Sequence, residues 1–68
     1  MEMTKEFQVK VSREVSPLKN YAIKLTHDQE EAEDLVQDTM LKAFINEDKF
    51  SEGTNLKGWL YTMMKKYL

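Results

Sequence analysis

Three groups of residues in this chain have types and spacing that chemistry could use: one histidine, a run of carboxylates, and a late cluster of aromatics and lysines. His27 stands beside Asp28 at a helix start, and no serine or threonine can be shown to pair with it, so it reads as an exposed end residue rather than a general base. Between Lys24 and Lys42 there is no Lys or Arg, but six acids: Asp28, Glu30, Glu31, Glu33, Asp34 and Asp38. Carboxylate metal sites in helical bundles need inward-facing Glu with a Glu-x-x-His pair on facing helices. Here the acids lie mainly off the apolar stripe and His27 precedes them, which suits a solvated helix face. A metal centre would require His27 to face Glu30 or Glu33 across a cavity. No phosphate-cradling glycine loop and no EF-hand loop occurs. An enzyme is therefore not expected, nor a metal, another cofactor or a small-molecule substrate.

Binding chemistry is better represented. From Phe44 to Leu68 the chain holds five of its seven aromatics (Phe44, Phe50, Trp59, Tyr61, Tyr67) and four lysines (Lys49, Lys57, Lys65, Lys66). Single-stranded nucleic acid is bound by such mixtures, because unstacked bases lie on rings while phosphates meet ammonium groups. Aromatics at helical spacing also serve as core, and Phe44, Trp59 and Tyr67 sit on apolar stripes. The acidic middle is a poor neighbour for DNA and a good docking face for a basic protein.

Sixty-eight residues make one domain at most, burying roughly 60% of the surface exposed on unfolding. There is no cysteine, so disulfides and thiolate sites are excluded. No apolar run approaches the ~20 residues of a membrane span or the ~7–15 of a signal-peptide core. The net charge is −2, unlike that of a generic nucleic-acid binder. It is unevenly spread: residues 1–34 carry five basic against eight acidic groups, and residues 35–68 carry five against four. Nucleic-acid contact would be local to the C-terminal third.

The elements that must position these groups are helices. Leu56, Trp59, Leu60, Met63, Met64 and Tyr67 recur at one face of a 3.6-residue period, with Thr54 or Asn55 as N-cap after Gly53. The stripe is still open at Leu68, which reads as a helix cut within a longer chain and leaves an apolar edge on which copies could associate. A second helix over about 28–46 carries Ala32, Leu35, Val36, Thr39, Met40, Ala43 and Phe44 inward; Thr26 with Gln29, or Asp28 with Glu31, would form its capping box. Asp38 and Lys42 form an i, i+4 pair. The first segment has Phe7, Val11, Val15, Leu18, Tyr21, Ala22 and Leu25 at helical spacing, interrupted by Pro17. Either Pro17 opens a separate helix with Ser16 as cap, or one helix runs 5–25 with a kink. Residues 46–55 form a polar loop. The expected fold is all-α: a small three-helix bundle, its first helix kinked or split at Pro17, with one long loop before the last helix.

Four separated motifs then stand in one order: Ala32-Glu33-Asp34-Leu35-Val36-Gln37-Asp38-Thr39, Leu41-Lys42-Ala43-Phe44, Asp48-Lys49-Phe50, and Gly53-Thr54-Asn55-Leu56-Lys57-Gly58-Trp59-Leu60-Tyr61-Thr62. With Leu18–Thr26 before them, they resemble region 2 of bacterial extracytoplasmic-function sigma factors, over about residues 7–68. The resemblance implies a cytoplasmic transcription initiation domain, residues 1–68 being a fragment that lacks the region reading the upstream promoter element. It implies three partners: the β′ clamp coiled-coil of core RNA polymerase, promoter DNA, and an anti-sigma factor. The resemblance assigns clamp contacts to Asp34, Gln37 and Asp38, and Leu41 completes their exposed i, i+3, i+4, i+7 stripe. Reading of the minus-ten element as single strand, with a base flipped into a pocket, falls to the loop residues Lys49, Phe50, Ser51, Thr54 and Asn55. Lys57, Trp59, Tyr61, Lys65 and Lys66 of the last helix would follow backbone and bases. Trp59 matches an aromatic that stacks on a flipped base in housekeeping relatives, yet lies on the core stripe, so packing and stacking both stand open. The loop acids Glu47, Asp48 and Glu52 would repel phosphate. A helical bundle that binds proteins without DNA is the alternative.

Overall fold

The computed structural model describes residues 5–51, 53–66 and 68, and among these its regular elements are all helical. Four α-helices follow one another: α1, Lys5–Ser12; α2, Val15–Thr26; α3, Gln29–Ile45; and α4, Leu56–Lys66. A single 3-10 turn at Glu47–Lys49 lies between α3 and α4. The expected three helices become four because the first segment is split, one of its two alternatives, though ahead of Pro17 rather than at it.

The break falls at Arg13-Glu14, ahead of the proline. Arg13 and Glu14 donate their amides to Val9 and Val11 carbonyls and close α1. Glu14, not Ser16, occupies the N-cap position of α2, without a side-chain cap bond. Pro17 is then the third residue of α2. Amides in a first turn have no intrahelical acceptor, so the missing N–H loses nothing there. Leu18 donates the first α-type bond, 2.9 Å to the Glu14 carbonyl.

α2 and α3 form the principal pair, joined through His27 and Asp28. α2 ends on His27 in the left-handed region (φ 58°), where its amide donates to the Ile23 carbonyl. This role is ordinarily taken by Gly or Asn, so its place as a C-cap was not legible in the residue type. α3 starts as expected: the Asp28 carboxylate accepts the Glu31 amide at 3.1 Å, and acids fill the first turn where the helix dipole favours them. Thr26 caps nothing on α3 through Gln29; its hydroxyl bonds the Ala22 carbonyl instead.

The core joins all four helices: Phe7 and Val11 from α1, Leu18 and Ala22 from α2, Ala32, Leu35, Val36 and Ala43 from α3, Leu60 and Met64 from α4. Each large member stabilises the fold by ~1.5–3 kcal/mol relative to exposure. Thr39 is the buried polar residue within the core; its hydroxyl donates to the Leu35 carbonyl at 2.7 Å, so it carries no unmet hydrogen bond. Met40 and Phe44 are half-buried at its edge. On α4 the expected stripe holds for Leu56, Trp59, Leu60, Met63 and Met64; Tyr67 lies outside the described residues. Asn55 sits at the N-cap position, its carbonyl accepting the Trp59 amide at 3.0 Å. The Thr54 hydroxyl turns back to the Ser51 carbonyl at 2.6 Å. No described helix is long and apolar enough to cross a membrane.

Candidate functional site

Two surfaces gather the residues singled out by the sequence. The first is the outer face of α3. Asp34 and Gln37 are exposed, and Leu41 is 54% exposed despite being apolar. Asp38 is half-buried, and its carboxylate is held by Lys42 Nζ at 2.6 Å, so its charge is largely answered from within the helix. Ile45, one turn beyond Leu41, is 74% exposed. The stripe therefore grades from acidic at Asp34 to apolar at Ile45. Ile45 was missed, although i+4 spacing from Leu41 would have found it. Shallow concavities flank the stripe. One of about 440 Å³ is lined by Thr26, Glu31, Asp34, Leu35, Asp38 and Leu68. The other, about 340 Å³ and mostly apolar, includes Val15, Val36, Gln37, Met40 and Leu41. Lys19 and Glu33 form a 3.3 Å ion pair between α2 and α3 at its rim.

The second surface is built by the end of α3, the loop and α4. A concavity of about 230 Å³ is lined by Asn46, Lys49, Trp59, Thr62, Met63 and Lys66. It lies below the ~300–1,000 Å³ usual for small-molecule sites and suits one flat ring system better than a larger ligand. Its lining residues include an indole, two lysines, an amide and a hydroxyl. Of the ten residues assigned to DNA, the structure brings Lys49, Trp59 and Lys66 to this concavity. Asn46 and Thr62 were not assigned to DNA, and Met63 was read only as core. Thr62, Met63 and Lys66 are i+3, i+4 and i+7 from Trp59, so helical spacing carried that signal. Asn46 is fixed by its side-chain amide donating to the Lys42 carbonyl at 2.8 Å.

The remaining assigned residues lie elsewhere. Phe50 is half-buried with its ring centroid 5.1 Å from that of Trp59 and 5.8 Å from that of Phe7. Tyr61 is half-buried and stacked on Tyr21 of α2, centroids 4.4 Å apart and planes 20° from parallel. Ser51, Thr54 and Asn55 are exposed along the loop, where Gly53 supplies the left-handed turn at φ 87°. Lys57 and Lys65 are exposed. The Lys57 ammonium lies 3.9 Å from Glu14 Oε1, a buried oxygen that accepts no hydrogen bond among the described residues. Trp59 packs against Phe7 and Phe50 and also lines the concavity. Of the loop acids, Asp48 is exposed and Glu47 half-buried, while Glu52 lies outside the described residues. No group of three or more His, Asp or Glu side chains among the described residues could hold a metal ion.

Residues 11–68 match the sigma-70 region 2 family. The chain is also 37% identical, over 65 residues, to the ECF RNA polymerase sigma factor EcfG of Rhodopseudomonas palustris (strain TIE-1). That match covers 96% of this chain and 36% of the relative, so the chain spans about a third of that protein's length. No solved structure matches it.

Proposed function

Because this chain belongs to the sigma-70 region 2 family, we propose that it is the part of a transcription initiation factor that docks on core RNA polymerase and reads the promoter minus-ten element as single-stranded DNA. The outer stripe of α3, from Asp34 through Gln37 and Asp38 to Leu41, meets the β′ clamp coiled-coil. Its acidic end steers a basic partner and its apolar end is desolvated on docking. The concavity at Lys49, Trp59 and Lys66 takes one unstacked base against the indole, and the two ammonium groups hold flanking phosphates. Ser51, Thr54, Asn55, Lys57 and Lys65 extend this path along the strand. Duplexes that resist melting are rejected, since unstacking a base costs a few kcal/mol. An anti-sigma partner would compete for the same two surfaces.

The observation that carries this reading is the concavity: a tryptophan and two lysines converge on a space sized for one ring system, on a chain whose net charge is acidic. Two lysines on so acidic a protein give weak binding alone, which fits a domain that meets DNA only when held on polymerase. The test is a titration of the chain against core RNA polymerase at two salt concentrations, followed by capture of a mixed-sequence single-stranded DNA pool by the complex. Saturable, salt-weakened binding with capture of the single strand is expected. Polymerase binding with no capture would favour the second reading, a protein-docking bundle. One observation supports that alternative: all three aromatics assigned to DNA, Phe50, Trp59 and Tyr61, pack against other rings.

A further inference from the structure

α1 has eight residues, too few to persist as an isolated helix in water. Its two buried side chains, Phe7 and Val11, hold it to the body of the domain. Phe7 is 6% exposed. Its ring meets Phe50 at 5.8 Å and Trp59 at 6.1 Å between centroids, tilted and edge-on respectively, and those two rings meet each other at 5.1 Å. Three rings from three separated segments thus close on one another: the first helix, the loop, and the last helix. Such tilted and edge contacts hold ring orientation as well as burying area. Phe50 directly follows Lys49, and Lys49 and Trp59 both line the concavity, whereas Phe7 does not. The family-model match begins at residue 11, while the match to the relative, over 65 of the 68 residues, takes in Phe7.

We propose that Phe7 is a positioning residue for single-strand binding: from behind, it fixes the Trp59 indole and the Lys49-Phe50 end of the loop, so that the concavity is formed before DNA arrives. This rests on the single-strand reading proposed above. A loop ordered in advance does not lose that freedom on binding, so affinity rises without Phe7 touching the ligand. Loss of the ring leaves Trp59 free to rotate and the loop free to leave α4.

The experiment compares the wild-type chain with Phe7→Leu, which keeps apolar volume and removes the ring. Ala22→Gly serves as a control; it weakens a buried α2 site far from the rings in sequence and leaves Phe7 in place. Each is bound to core RNA polymerase and titrated with a labelled mixed-sequence single-stranded DNA pool. Trp59 is the only tryptophan of this chain, so in the free chain, before polymerase is added, its emission and its collisional quenching report on the cluster directly. Phe7→Leu should keep helical circular dichroism and polymerase affinity, shift Trp59 emission to the red, increase its quenching, and lose about tenfold in single-strand affinity, as loss of one stacked base would. Ala22→Gly should lower the melting temperature without the emission shift or the affinity loss. Unchanged Trp59 emission in Phe7→Leu overturns the proposal. So does an unchanged single-strand affinity, and so does an equal loss in Ala22→Gly, which would make the effect one of stability. A wild-type complex that captures no single strand removes the reading and the proposal together. Wild type and Phe7→Leu capturing alike removes the proposal alone.

Discussion

The outer face of α3 and the face formed by the loop and α4 are built in opposite ways. The α3 stripe is carried by one continuous helix of 17 residues, and its side chains follow from spacing alone. The second face draws on the end of α3, the loop and α4, and its central ring is held by Phe50 of the loop and by Phe7 of α1. A surface on one helix tolerates substitution without reorganising, because the helix backbone alone sets where its residues stand. A surface assembled from several segments couples each of its members to the fold. The same contrast sets what a mutation can do: charge reversal on α3 should act on binding alone, while changes around Trp59 mix binding with stability.

The largest effect expected is on the first surface. Asp34→Lys with Gln37→Lys puts two positive charges where a basic clamp is proposed to dock, and should abolish core polymerase binding with helical circular dichroism unchanged. Like charges placed in an interface cost several kcal/mol, enough to remove measurable affinity. A double variant that still binds would show that the acidic stripe is not the docking face. Trp59→Leu comes next. It keeps apolar packing against Phe7 and Phe50 and removes the stacking platform, so single-strand affinity in the polymerase complex should fall by ~1–3 kcal/mol while polymerase binding stays. Equal capture of single strand by Trp59→Leu would assign the indole wholly to the core.

How much of this was legible in the sequence follows the same contrast. The α3 stripe, its Asp28 cap and the Asp38–Lys42 pair were all readable, because each depends on residues within one turn of one another. Leu60 and Met64 were readable as core for the same reason. The split of the first segment at Glu14 was not, since Pro17 marks a first turn without saying how far back that turn begins. His27 as a left-handed cap was not, because histidine, though commoner there than most side chains, takes φ 58° too rarely for its type to mark the position. The Phe7–Phe50–Trp59 cluster and the Tyr21–Tyr61 stack join residues far apart in the chain, and no periodicity carries such pairings. Phe50 and Tyr61 looked available to DNA for that reason. Asn46 joins the concavity only because α3 and α4 pack together. The resemblance supplied the family and the order of its motifs; it could not say which of the assigned side chains converge.

Two smaller effects separate charge from base reading on the second surface. Asn55→Ala should weaken single-strand capture only when polymerase is present, by about 1 kcal/mol, the size of one hydrogen bond. A similar loss with an unrelated oligonucleotide would indicate loop unfolding instead. Lys66→Gln should weaken binding to every sequence alike and reduce the slope of log affinity against log salt by about 0.7, the single-strand value for one phosphate. An unchanged slope would place Lys66 off the strand.

The smallest effect is the most discriminating, because its two readouts are expected to move independently. Gly58 is the third residue of α4, and a Cβ there would meet the Asn55 side-chain amide at 3.1 Å. That neighbour is the end of an exposed, rotatable side chain, so it can give by a few tenths of an ångström. Glycine within a helix is less favourable than alanine by up to ~1 kcal/mol, less in a first turn. Gly58→Ala should therefore raise the melting temperature by a few degrees, since ~1 kcal/mol corresponds to ~4–8 °C in a domain of this size. Its effect on single-strand capture then reports on Asn55 alone. Unchanged capture means that Asn55 works from either orientation. Weakened capture in a more stable protein means that the present orientation of the amide is part of the reading surface, held open by the absence of a side chain at Gly58. A fall in melting temperature would show instead that the Asn55 amide cannot yield, and that the start of α4 is packed as tightly as the rings behind it.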